Sequence, residues 1–303
     1  MTIMIPFAQG DAMLGWLPLT KALAEGHNGP KAHVEDVFLY EGENTLLNRS
    51  AWIAGMGIAV KCATVFPGNR AVGKPMIGGA VNLFSATDGV LEAILDFHLV
   101  TKWKTAGDSL LAATRLARPD SRKILIVGAG TVGRSLKQAY SAGFPDAKFT
   151  VWNRTPEAAH AFQAEFPEVA IADDLETAVG DADIVTSATM TTEPLIKGDW
   201  LRPGQHIDLI GAYRSDMREV DDAALLKARV FVDNMHTTVD HIGELKIPIA
   251  NGVISSSHVV ADYFALDQFQ RKSDDEITLF KNGGGAHLDL MTSRHILDVW
   301  QTQ

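Results

Sequence analysis

Gly128, Gly130 and Gly133 stand in the spacing G-x-G-x-x-G, directly after the apolar run Lys123–Val127 and ahead of a helix-like stretch reaching about Ala142. A dinucleotide needs that order of strand, glycine loop and helix. The three glycines serve a tight turn, the close approach of backbone to pyrophosphate, and the packing of helix on strand. Thr131 and Val132 complete the loop at a helix N-terminus, where free N–H groups and a partial positive charge face the phosphates. Twenty residues past Gly133, the next strand ends in Asn153-Arg154-Thr155. A site specific for NAD places an acid there, whereas an arginine accommodates a 2′-phosphate. Arg154 therefore makes NADP(H) the preferred cofactor, with NAD(H) possible; the alternative is a merely solvated arginine. Ser187-Ala188-Thr189, at the end of a further strand, is expected to pass beneath the nicotinamide.

The elements that must hold these residues alternate between strand and helix. Strands are expected at Phe149–Trp152, Val169–Ile171, Ile184–Ser187, Ile207–Ile210 and Val230–Val232. Helices are expected from Pro156, with Thr155 as N-cap, and near Leu175–Val179 and Asp221–Leu226. That alternation implies a parallel sheet covered on both faces. The fold class is α/β: a Rossmann domain over residues 116–277. Earlier residues read differently, with glycine-broken apolar runs at Val37–Tyr40, Met56–Val60, Ala80–Phe84 and Leu91–Phe97 suggesting an antiparallel or mixed sheet. A helix over Lys104–Arg118 follows. Glu276–Phe280 reads as one more strand, and the pattern does not say which sheet it joins. Residues 1–115 with 278–303 are assigned to a second, α+β domain.

Composition removes several function classes. The chain has 303 residues, 46% hydrophobic and 21% charged, enough for two cores. Lys plus Arg number 27 against 37 Asp plus Glu, a net charge of −10, which argues against nucleic-acid and basic membrane-surface partners. The single cysteine, Cys62, excludes an intramolecular disulfide and multi-cysteine metal sites, and suits a reducing cytoplasm. No run of apolar residues is long enough to span a bilayer, and the first residues lack the pattern of a signal peptide.

Further stretches carry a resemblance. Val60-Lys61 is followed by Phe66-Pro67-Gly68-Asn69, and Leu83 leads through Thr87-Asp88-Gly89 to Glu92-Ala93. Lys104-Thr105-Ala106 and Gly211 through Arg218-Glu219-Val220-Asp221 come later in the chain. With the glycine loop and Asp183–Ile196, these resemble the ornithine cyclodeaminase/μ-crystallin family, in the expected order from about residue 30 to 295. The resemblance implies a two-domain homodimer whose N-terminal domain binds substrate and forms the dimer interface. It also implies a nicotinamide cofactor and a small α-amino or α-imino acid as substrate.

By this resemblance Lys61 aligns with an active-site lysine and Lys104 with a carboxylate-binding arginine. Two ammonium groups can hold a carboxylate, though without arginine's planar fork. Lys61 lies in an apolar stretch, where desolvation lowers a lysine's pKa and lets it exchange protons. Tyr213 stands where ornithine cyclodeaminase carries its catalytic aspartate, and Asp216 comes three residues later. The expected activity is therefore reduction of a ketimine acid of the Δ1-pyrroline-2-carboxylate or Δ1-piperideine-2-carboxylate type to an L-α-amino acid such as proline. Cyclisation of ornithine with loss of ammonia, oxidative deamination of alanine, and a non-catalytic cofactor-binding role are the alternatives. Tyr213 reads as either a hydrogen-bond donor or a packed aromatic.

Other groupings carry less. His236, His241 and Glu244 do not match metal-ligand spacing, and no metal is expected. Asp233 and His236 are placed near the cofactor by resemblance only. Gly283-Gly284-Gly285 reads as a closing loop or as a helix-entry turn, with Asp289 favouring the helix start. Cys62 reads as a buried thiol.

Overall fold

The computed structural model describes residues 2–302, which divide into two compact units: residues up to Lys104 together with those from Gly284 onward, and Thr105–Gly283. The first unit holds strands β1 (Ile3–Ile5), β2 (His33–Glu41), β3 (Asn44–Ile53), β4 (Gly57–Val65), β5 (Ile77–Phe84) and β6 (Leu91–Asp96) in one sheet of order β1-β6-β5-β4-β3-β2. β1 runs parallel to β6 and every other neighbour is antiparallel, so the sheet is mixed. The sequence pattern missed β1 and β3. The helices are α1 (Phe7–Asp11), α2 (Trp16–His27), the start of α3 (Phe97–Leu116) and the C-terminal helix Ala286–Gln301. That last helix packs on α2 and on β2, β3, β4 and β5.

Helix α3 begins about two turns before the expected Lys104. The reason is local: Asp96 Oδ1 accepts from the N–H groups of His98 at 2.8 Å and Leu99 at 3.0 Å, satisfying donors that a helix start leaves unpaired. Lys104 consequently sits inside the helix rather than at its solvated start.

The second unit is built on eight strands, all parallel: β7 (Lys123–Val127), β8 (Lys148–Trp152), β9 (Ala170–Ile171), β10 (Ile184–Ser187), β11 (His206–Leu209), β12 (Ala228–Val232), β13 (Val259–Ala261) and β14 (Ile277–Lys281). Their order is β13-β12-β14-β11-β10-β7-β8-β9. Strand order reverses between β7 and β10, the switch point at which doubly wound sheets bind ligands. Alternate residues Leu125, Val127, Val185, Ile207, Leu209, Val230, Val232 and Leu279 share one core cluster, as the two-residue period of strands dictates. Helices α4 (Thr131–Gly143), α5 (Pro156–Glu165), α6 (Leu175–Asp181), α7 (Asp222–Lys227), α8 (Met235–Thr238) and α9 (Gly243–Ala250) connect the strands. Thr155 precedes α5 as expected but makes no side-chain cap, whereas Asp174 and Asp221 cap α6 and α7.

The late strand β14 lies between β11 and β12, so it belongs to the parallel sheet. Residues 278–283 therefore leave the α+β unit to which the sequence assigned them. The divisions at 115/116 and 277/278 move to 104/105 and 283/284. The sheet needs β14 to fill the gap between two parallel neighbours.

Candidate active site

Lys61 lies on β4, whose buried residues alternate: Gly57, Ala59, Lys61 and Ala63 face inward while Cys62 is half-buried. The strand period thus carries a lysine into the interior and turns Cys62 to the other face. Lys61 Nζ donates to Thr101 Oγ1 at 2.9 Å, lies 3.1 Å from Asp289 Oδ1 and sits over the Phe97 ring at 4.6 Å. From α3, Lys104 Nζ reaches the same Asp289 oxygen at 3.3 Å and donates to the Gly284 carbonyl at 2.8 Å. Lys61, Lys104 and Asp289 are all at least nine-tenths buried.

Arg49, directly opposite Lys61 in the β3–β4 ladder, completes the group. Its guanidinium forks onto Asp36, at 3.1 and 2.7 Å, and a third nitrogen donates to Gly284 O at 2.7 Å. The three cations exceed the two carboxylates Asp36 and Asp289 by one charge. Burial pushes the Lys61 ammonium down to about 8, with Asp289 opposing and Lys104 and Arg49 adding to the fall. Burial works against the ionised Asp289 carboxyl, but Lys104, Lys61 and Arg49 outweigh it and hold Asp289 below the usual range. Neighbouring His287 is kept neutral by burial and by the nearby His27 and Lys104. A surplus of buried positive charge suits a small carboxylate.

Sequence reasoning found the two lysines but missed Arg49, because the strand that carries it went unrecognised. Asp289 was read only as a helix-start residue, and its side chain instead holds both lysines. Gly283–Gly285 is a helix-entry turn in which Gly284, at a positive φ of 66°, offers its carbonyl to Arg49 and Lys104.

In the second unit, the three loop glycines meet different constraints. A Cβ on Gly133 would strike the Gly128 carbonyl oxygen, and one on Gly128, whose φ is 110°, would lie 2.9 Å from Ala188 O. At Gly130, the N-cap of α4, a Cβ would meet nothing within 4 Å. The backbone at Gly130 is thus open to a bound group, and the first-turn N–H groups of Thr131, Val132 and Gly133 have no acceptor within the helix. These features fit a pyrophosphate.

Asn153 Oδ1 accepts from Ala129 N–H at 3.0 Å and its amide donates to Thr155 O at 2.9 Å, bracing the loop against the end of β8. Arg154 is exposed and, among the described residues, has no ion-pair partner. The hydroxyls of Ser187 and Thr189, and the Thr189 N–H, are all committed to Glu219, at 2.6, 2.9 and 2.9 Å. Ala188 is half-buried between them. Tyr213 is 59% exposed, which removes the packed-aromatic reading, and it belongs to the second unit while both lysines belong to the first. Asp216 is held by Arg214 at 2.8 Å. Asp233 is buried and accepts from Thr238 Oγ1 at 2.6 Å, and His236 is the second residue of α8, its N–H donating to the N-cap Asn234. Among the described residues no three His, Cys, Asp or Glu side chains are grouped to hold a metal.

The model of the ornithine cyclodeaminase/mu-crystallin family matches residues 51–303. The chain belongs to this family. Among curated relatives, the Δ1-pyrroline-2-carboxylate reductase of Paracoccus denitrificans is 50% identical over 300 residues, covering 96% of this chain and 95% of that one. Among solved structures, the Thermococcus litoralis Δ1-pyrroline-2-carboxylate reductase in complex with NADH and L-proline superposes with a TM-score of 0.90 at 24% identity, covering 99% of this chain and 98% of that one. An archaeal alanine dehydrogenase dimer with bound NAD also reaches 0.90, at 25% identity, covering 99% and 96%.

Proposed function

We propose that this chain reduces a cyclic ketimine acid, of the Δ1-pyrroline-2-carboxylate or Δ1-piperideine-2-carboxylate type, to the corresponding L-α-amino acid. The observation that carries this reading is the buried pair Lys61 and Lys104, joined through Asp289 and flanked by Arg49, with one positive charge in surplus. That group binds and orients the substrate carboxylate. A bound nicotinamide supplies a hydride to the carbon of the C=N bond, whose electron pair then remains on nitrogen. The nitrogen must hold a proton for the bond to accept hydride well. Lys61, whose ammonium is poised near neutrality, can hold or release that proton. The high identity to a Δ1-pyrroline-2-carboxylate reductase supports the same choice.

Ornithine cyclisation is the second reading. It is disfavoured because Tyr213 takes the position of the family aspartate, and Asp216 is engaged by Arg214. For the cofactor, the exposed Arg154 supports NADP(H) over NAD(H) by offering an unpaired guanidinium at the end of β8.

The assembly we infer is a homodimer. Strand β2 is a sheet edge, and its run Val37, Phe38, Leu39, Tyr40 is 47–71% exposed. Such a run on an unpaired edge invites a second chain.

Purified protein mixed with NADPH and Δ1-pyrroline-2-carboxylate, followed at the nicotinamide absorbance, tests the activity. NADPH loss with stoichiometric proline is the expected result. Ammonia and proline from ornithine without net cofactor turnover would instead favour the cyclodeaminase.

A further inference from the structure

Glu219 is fully buried and follows no loop glycine or catalytic position, yet it gathers more hydrogen bonds than a packing residue needs. Its Oε1 accepts from Ser187 Oγ at 2.6 Å and from both the N–H and the hydroxyl of Thr189 at 2.9 Å. Its Oε2 accepts from the N–H groups of Gly211 at 2.6 Å and Ala212 at 3.0 Å. These donors stand at the carboxyl ends of two adjacent parallel strands, β10 and β11. The two ends are in close contact, since a Cβ on Gly211 would enter the backbone of Thr189. They also border the glycine loop, where Gly128 approaches the Ala188 carbonyl. Behind them, Glu244 of α9 accepts from the N–H groups of Glu219 at 2.7 Å and Val220 at 3.1 Å, fixing the residue that does the bracing.

Ligands of doubly wound sheets bind beyond the carboxyl ends of the strands, next to the reversal of strand order. We propose that Glu219 is a positioning residue that locks residues 187–189 to 211–212 and so shapes the platform for the nicotinamide half of the cofactor. The inference rests on the dinucleotide reading given above. All five hydrogen bonds to the Glu219 side chain are donated by Ser187, Thr189, Gly211 and Ala212, and a carboxylate can accept at both of its oxygens. Glutamine would turn an N–H₂ group toward N–H and O–H donors, and aspartate would fall one methylene short of spanning both loops.

The experiment compares two probes on the full chain. NADPH reports the whole dinucleotide, and adenosine 2′,5′-bisphosphate reports its adenosine half alone. For Glu219→Gln, the Kd of NADPH is expected to rise about tenfold or more while that of adenosine 2′,5′-bisphosphate stays within about twofold. Glu219→Asp is expected to move the same ratio in the same direction, and it carries the test if the glutamine variant does not fold. Equal weakening of both ligands, or no weakening of NADPH, overturns the proposal. A wild-type chain that binds NADPH but reduces no imine sinks the proposed activity and leaves the Glu219 comparison standing. A wild-type chain that binds no dinucleotide overturns both.

Discussion

Asp289 Oδ1 lies 3.1 Å from Lys61 Nζ, joining the C-terminal helix to the middle of β4. The same oxygen is 3.3 Å from Lys104 Nζ, so one carboxylate holds two ammonium groups at once. Without that carboxylate, two buried cations would repel each other with little water to screen them. With it, the two lysines share one counter-charge. The acid thus anchors Lys61 and opposes the fall in proton affinity that burial imposes on it.

Replacement of Asp289 by Asn is expected to lower the Lys61 pKa below its value of about 8, because the carboxylate is the main influence that raises it against burial. Acetylation of the Lys61 amine at a series of pH values, read by mass spectrometry, measures the midpoint without any substrate. The same variant should lose about 3 kcal/mol of stability, the usual result of leaving a buried charge without its partner. A labelling midpoint unchanged from wild type would show that Asp289 does not set the proton affinity of Lys61.

For the wild-type enzyme, the pH dependence follows from the same lysine. Its folded pKa of about 8 lies below the ordinary 10.5, so between those values the unfolded chain binds more protons. The contribution of Lys61 to stability therefore rises as pH increases across that window. Substrate binding runs the opposite way, because the carboxylate needs a charged Lys61. The kcat/KM for Δ1-pyrroline-2-carboxylate should fall as pH rises through about 8, and Lys61→Arg should retain a high-pH plateau in binding even if turnover drops. A flat profile from pH 7 to 9 would remove Lys61 from carboxylate binding.

How much of this was legible in the sequence depends on how local the signal was. The glycine loop, β7, β10 and the parallel alternation rest on short-range patterns, and the structure places them where those patterns predict. Lys61 and Lys104 were visible as family positions. Arg49 was not, because β3 (Asn-Thr-Leu-Leu-Asn-Arg-Ser-Ala-Trp-Ile) groups its polar and apolar residues in blocks rather than in alternation and lacks a β-branched run. Asp289 was visible only as a residue near a helix start. Its real partners are 228 and 185 positions away, and no local pattern encodes such a pairing. Strand β14 likewise takes its place from the sheet, which it joins 150 residues after β7.

Cofactor choice is tested at Arg154. Its exposed guanidinium has no ionic partner among the described residues, so removing it breaks no internal contact. Arg154→Ala is expected to weaken NADPH about tenfold or more and to leave NADH within about twofold, with thermal stability unchanged. Equilibrium dialysis of both cofactors against wild type and variant gives the answer. Parallel loss of NADPH and NADH, or loss of neither, would sink the preference for NADP(H).

Two glycines of the loop should respond differently to the same added methyl group. At Gly133 the methyl meets the carbonyl oxygen of Gly128, a backbone atom that cannot step aside. Gly133→Ala should therefore cost about 1–3 kcal/mol of stability as well as cofactor affinity. At Gly130 the methyl meets no protein atom within 4 Å, so Gly130→Ala should keep stability within about 1 kcal/mol of wild type. It should still lose cofactor binding, because the space it fills is the space the pyrophosphate needs. Thermal melts paired with NADPH titration separate the two. If Gly130→Ala binds NADPH as well as wild type does, the pyrophosphate does not approach that position.

The edge of the first sheet makes a prediction about assembly. In β2, neighbouring side chains point to opposite faces, yet Val37, Phe38, Leu39 and Tyr40 are all apolar or aromatic and all exposed. A monomer gains nothing from placing such residues on both faces of an edge strand whose outer side is unpaired, and the arrangement carries an aggregation risk that a second chain would remove. Phe38→Lys together with Tyr40→Glu should convert a dimer to a monomer without unfolding the sheet, since neither side chain is buried within the chain. Sedimentation velocity across a dilution series distinguishes the states, with circular dichroism as the check on folding. A wild-type chain that sediments as a monomer at every concentration would reject β2 as the dimer surface, and a double variant that stays dimeric would move the interface elsewhere.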